Sequence, residues 1–115
     1  MMDKYTEKRP WGKFEKYIEN QVCTVKLHFI EPGQEWSLQY HQKRDEFLKI
    51  IQGKAEVTID DKKIEANQND EFFVPGKTKH RIKAKDELVK VLEISIGNFD
   101  ENDIVRLEDK YHREK

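Results

Sequence analysis

Two histidines and one carboxylate stand at spacings that suit metal chemistry. His41 and Glu46 are separated by four residues, and His80 follows the turn Pro75-Gly76-Lys77 and two further residues. Gln39 lies two residues before His41, so on an extended strand both side chains project to one face. Imidazole nitrogens and a carboxylate oxygen converging from adjacent strands build a site for a divalent ion, with Zn, Mn, Fe, Ni and Co all compatible with this donor set. The amide oxygen of Gln39 is a weaker donor and reads equally as a fourth ligand or as a contact to substrate. Taken singly, each residue has a plainer reading. A histidine at a strand end is commonly a hydrogen-bonded surface residue, and Glu46 ends the charged run Lys43-Arg44-Asp45-Glu46. Joint spacing is what carries the metal reading.

These residues need elements to hold them. Val22 to Ile30 alternates, with Cys23, Val25, Leu27 and Phe29 on one face and Lys26 and His28 on the other. Glu31-Pro32-Gly33-Gln34 breaks that run, since proline presets φ and glycine tolerates φ > 0. Further strands are predicted over residues 36–41, 47–52, 55–59, 63–66, 71–74, 80–84 and 88–96, with Asp60-Asp61 as a tight turn. Helix is nearly absent. Only residues 102–115 carry a weak helical face, through Ile104, Val105, Leu107 and Tyr111. Many short strands between glycine and proline turns predict an all-β, jelly-roll type of barrel with a short helical or irregular C-terminal tail.

Composition agrees with one folded domain over residues 1–115. The chain has 22 basic and 23 acidic residues, a net charge of −1, and its apolar residues are periodic, which argues against disorder. Near-neutral charge without a basic stripe argues against nucleic acid as a partner. No apolar run approaches the roughly 18 to 20 residues that cross a bilayer, and Met1-Met2-Asp3-Lys4-Tyr5 lacks the apolar stretch of a leader. The lone cysteine, Cys23, is expected as a buried filler, and a cytoplasmic location is expected.

The spacing Gly33, Gln39, His41, Glu46, Gly53 resembles the first cupin motif, with Gln39 where its first histidine would stand, and Pro75 to His80 resembles the second. A closer resemblance is to the C-terminal isomerase domain of type II mannose-6-phosphate isomerases, a domain often fused to mannose-1-phosphate guanylyltransferase. It is carried by Arg9-Pro10-Trp11-Gly12, by Val25-Lys26 leading to Pro32-Gly33, by Ser37-Leu38-Gln39-Tyr40-His41 with Arg44 and Glu46, and by residues 102–113. These stretches span almost the whole chain in the family's order. There are departures. The family has His-Trp where Phe47-Leu48 stand, which is expected to alter the pocket floor. His112 replaces the glycine before the last arginine, removing a residue suited to φ > 0. Leu27 replaces an arginine that often follows the matched lysine. Nothing in the chain corresponds to the guanylyltransferase domain, so nucleotide-sugar synthesis is not expected of it.

The resemblance implies a cupin (double-stranded β-helix) barrel, a divalent metal, and interconversion of mannose 6-phosphate and fructose 6-phosphate through an enediol. It implies that the tail lies near the pocket, with Arg113 facing a phosphate or an enediolate oxygen. Lys26 is the candidate general base if burial lowers its pKa, although its place opposite Val25 and Leu27 also fits a surface lysine. Two rival readings remain: a non-haem metal oxygenase, which uses the same two-histidine, one-carboxylate set, and a sugar-binding cupin without turnover. A homodimer is expected, with Arg9 to Ile18 adding to a partner's sheet and burying Trp11 and Phe14.

Overall fold

The computed structural model describes residues 4–114. The part of the leader reading that rests on residues 1–3 lies outside the described residues. The chain opens with a hairpin of β1 (Tyr5–Arg9) and β2 (Gly12–Lys16), turning at Pro10-Trp11. Then follow β3 (Cys23–Ile30), β4 (Leu38–Tyr40), β5 (Asp45–Gln52), β6 (Ala55–Ile59), β7 (Lys62–Ala66), β8 (Glu71–Val74), β9 (His80–Ala84), β10 (Val89–Ile96) and β11 (Val105–Glu108). One sheet runs β3-β10-β5-β8 and the other β11-β4-β9-β6-β7, with every named pairing antiparallel. Two antiparallel sheets with crossed-over order make the jelly-roll barrel that the turn signals predict.

Between the sheets sits an apolar cluster of Ile30, Leu48, Ile50, Val57, Val74, Ile82, Val89 and Val91, with Trp36, Ile59 and Phe72 packed against it. Gly53 shows why the motif needs glycine between β5 and β6. Its φ is +91°, and a Cβ there would lie 2.4 Å from the Leu88 carbonyl oxygen.

Several expectations meet a different outcome. The apolar face of β3, which a buried Cys23 would place inside, is turned outward: Val25, Leu27 and Phe29 are 58%, 48% and 57% exposed, and Cys23 is only half-buried. Register decides this, because β10 sets buried Val91 and Glu93 opposite His28 and Lys26, which therefore share the inward face. The tail is not helical. Residues 105–108 form β11 on the edge of β4, where β-sheet pairing outweighs a weak helical pattern. Phe47 does not floor the pocket but packs at a tilt against Tyr17 outside the barrel, ring centroids 5.0 Å apart, while Leu48 is fully buried in the core. His112 adopts φ +62° even without glycine, and Asp109 holds that turn by accepting from the backbone N–H of both Tyr111 and Arg113. The segment expected to add to a partner's sheet already has a partner within the chain, β1, along one edge.

Candidate metal centre

Three strand positions bring the candidate ligands together. Glu46 is the second residue of β5, His80 opens β9, and His41 follows β4 directly. Their donor atoms all lie within 4.8 Å of one another, and all three residues are buried. Glu46 Oε1 is 3.5 Å from His41 Nε2 and 3.1 Å from His80 Nε2. The two rings sit with centroids 5.3 Å apart.

Each imidazole is oriented by a backbone carbonyl. His41 Nδ1 is 2.7 Å from the Asp103 carbonyl, and His80 Nδ1 is 2.9 Å from that of Thr78. A carbonyl only accepts, so each Nδ1 carries the proton and each Nε2 presents its lone pair to the cluster. Burial pushes His41 toward its neutral form, the form that ligates. Burial alone would raise the Glu46 carboxyl, but contacts with His80 and Glu93, and the charge either histidine carries when protonated, outweigh it and hold the carboxyl well below its ordinary range.

The donor set fits a divalent cation on two grounds. Glu46 Oε1 and His80 Nε2 are buried without a hydrogen-bond partner, because their 3.1 Å approach is not aligned as a bond. Unpaired buried polar atoms cost free energy unless something coordinates them. Charge is the second ground. Among the described residues the polar end buries two acidic side chains, Glu46 and Glu93, and one guanidinium, Arg44; Glu93 faces His28 Nε2 at 2.7 Å. Arg44 Nε donates to Glu46 Oε2 at 3.1 Å and Nη2 lies 3.2 Å from His41 Nε2, so it neutralises only part of that charge.

The remaining sequence candidates fall around this cluster. Gln39 pairs across strands with His80 on one side and Arg106 on the other, and its amide oxygen accepts from Ser37 Oγ at 2.6 Å. Arg113 donates to Asp109 through Nε at 2.6 Å and Nη2 at 3.2 Å, and shares an inner cavity with His28, Trp36, Ser37, Gln39 and Glu93. Lys26 faces inward but is held at the rim, 2.8 Å from Glu101 and over the Phe99 ring.

Sequence reasoning passed over Glu93, Ser95 and Asp103. Glu93 and Ser95 are two polar residues with strand spacing inside the otherwise apolar stretch of β10, a signal that was open to reading. Asp103 was visible only as part of the tail. Its carboxylate caps the backbone N–H groups of Gln42 and Lys43 while its carbonyl orients His41.

Comparison with known proteins follows the same outline. The family described as "Mannose-6-phosphate isomerase C-terminal" matches residues 2–109. The xanthan biosynthesis protein XanB of Xanthomonas campestris pv. campestris is 36% identical over 107 residues, covering 91% of this chain and 23% of XanB. A mannose-1-phosphate guanylyltransferase of Klebsiella pneumoniae is 31% identical over 107 residues, with 91% of this chain and 23% of that protein covered. The chain thus spans less than a quarter of the length of these curated relatives. A cupin protein from Bacteroides fragilis superposes with a TM-score of 0.61 at 26% identity, over 68% of this chain and 70% of that one.

Proposed function

The chain belongs to the mannose-6-phosphate isomerase C-terminal family, and from that premise we propose that it is a divalent-metal-dependent isomerase interconverting mannose 6-phosphate and fructose 6-phosphate. The observation that supports this best is the buried convergence of His41, Glu46 and His80, with two of their atoms left without hydrogen bonds. These three side chains hold the metal, and Gln39 supplies a fourth contact, to the ion or to a substrate hydroxyl. Bound there, a divalent cation supplies Lewis acidity toward sugar carbonyl and hydroxyl oxygens. Arg44 balances the charge of Glu46 and keeps its carboxylate turned to the cluster. Trp36 and Gln39 line the cavity in which the sugar sits, and Arg113, free to donate beyond Asp109, receives a phosphate or enediolate oxygen.

The working unit is a homodimer. Val25, Leu27 and Phe29 form an apolar outer face on β3, an edge strand of its sheet, and Trp11 at the hairpin tip is 74% exposed. A solution mass equal to one chain at micromolar concentration would defeat that part.

Elemental analysis together with a coupled assay of mannose 6-phosphate against fructose 6-phosphate tests the whole. One metal per chain and turnover are expected. Metal with oxygen consumption and no isomerisation would favour the oxygenase reading, which the two-histidine, one-carboxylate set also fits. Sugar phosphate bound without turnover would favour a binding protein.

A further inference from the structure

We propose that His28, held by Glu93, is the group that carries the proton between the two carbons of the substrate. This rests on the isomerase function proposed above. His28 Nε2 lies 2.7 Å from Glu93 Oε1, across the β3–β10 pairing and 65 positions away in sequence. Glu93 is 5% exposed, and its second oxygen accepts from Ser95 Oγ at 2.6 Å. A carboxylate only accepts, so Nε2 holds the proton and Nδ1 keeps its lone pair. Pairing of imidazole with a buried carboxylate is the arrangement that sets the tautomer of a general base.

The surroundings fit that task. Trp36 packs against the His28 ring, centroids 4.7 Å apart and planes tilted by 59°, and meets the His80 ring edge-on at 6.5 Å, so one indole lies between His28 and the metal cluster. Ser95 Oγ, whose single proton serves one carboxylate at a time, also lies 3.2 Å from Glu46 Oε2, which places the pair beside the cluster. His28 lines both the inner cavity beside Gln39 and Arg113 and an outer cleft of about 420 Å³, a volume within the usual range of ligand sites. Competing bases are engaged elsewhere: Lys26 is ion-paired with Glu101, and Glu46 faces Arg44 and the histidines.

The step balances without an external oxidant. His28 Nδ1 takes the proton from the hydroxyl-bearing carbon next to the aldehyde. The C–H pair becomes the C=C bond of an enediolate, and the carbonyl π pair moves to its oxygen. The imidazolium then returns the proton to the former carbonyl carbon. The hydroxyl proton passes to the former carbonyl oxygen, leaving a ketose of the same composition. Glu93 is a positioning residue throughout.

The test compares wild-type protein with His28→Asn, whose amide still donates to Glu93 but has no basic nitrogen. Turnover and deuterium uptake from D2O into the product are expected to fall by about 10²- to 10⁴-fold. Metal stoichiometry and calorimetric affinity for fructose 6-phosphate are expected to stay within about twofold, so that the loss lies in kcat rather than KM. An active wild type whose variant keeps its rate overturns the role of His28 alone. So does a variant that loses metal or sugar-phosphate binding along with its rate, which would mark His28 as structural. A wild type with no turnover overturns the isomerase function, and the role of His28 with it.

Discussion

The two ends of the barrel are built from the same strands and hold opposite chemistry. Along the inward face of β5 the side chains run Glu46, Leu48, Ile50; along β9 they run His80, Ile82, Ala84; along β10, read backward, they run Ser95, Glu93, Val91, Val89. Each stripe begins polar and becomes apolar, and the polar halves gather at one end. The apolar end is closed by a cluster in which Leu48, Ile50, Val57, Ile82, Val89 and Val91 show no solvent exposure. The polar end buries His41, Arg44, Glu46, His80, Glu93 and Ser95 at comparable depth. Stability and chemistry are therefore separated by one or two residues along a strand, and the apolar end stabilises a fold whose polar end contains unpaired atoms.

Substitutions at the two ends should give opposite signatures. His80→Ala is expected to abolish stoichiometric metal binding and lower isomerase activity by about 10³-fold or more while far-UV circular dichroism is retained; an active variant would remove the site from the polar end. Ile50→Ala, four residues from Glu46 on the same face, should cost about 2–5 kcal/mol in urea unfolding, with metal stoichiometry unchanged under native conditions. A smaller effect is expected from Glu46→Gln. It keeps an acceptor for Arg44 but removes the charge, so metal affinity falls while the fold is retained. Chelation of wild-type protein should then lower Tm, and chelation of Glu46→Gln should not.

The smallest effect concerns the tail that closes the polar end. Bonds from Arg113 hold the Asp109 carboxyl down at about 2. Because this pKa lies below that of the unfolded chain, near 3.9, its contribution is fully present above about pH 4. It is lost as pH falls toward 2. The carbon-13 signal of the Asp109 carboxyl should hold its position from pH 7 to about 4 and move below that. Movement beginning near pH 6 would mean that Asp109 is not the anchor.

The sequence disclosed the group His41, Glu46 and His80 through short spacings that resemble a known motif. His41 and Glu46 flank one turn and His80 follows another, and the pairing of β4 with β9 then brings His80 beside them. Strand positions were legible for the same reason, since Pro32-Gly33, Gly53, Asp60-Asp61 and Pro75-Gly76 punctuate the chain. What was not legible depends on register between distant strands. His28 meets Glu93 only because β3 pairs with β10 at one of several possible alignments, and the same alignment turns Val25, Leu27 and Phe29 outward. Residues 105–108 misled through periodicity, which is weak evidence beside an open strand edge at β4. Phe47 misled through its neighbour: adjacent strand residues face opposite ways, so only Leu48 could reach the interior.

His41 takes its orientation from Asp103, 62 positions further along the chain. That carbonyl comes after β10, so the strands of both sheets up to β10 can pair while this imidazole is still free to rotate. The hydrophobic cluster uses no residue beyond Val91, so the tail aligns His41 without contributing to the interior.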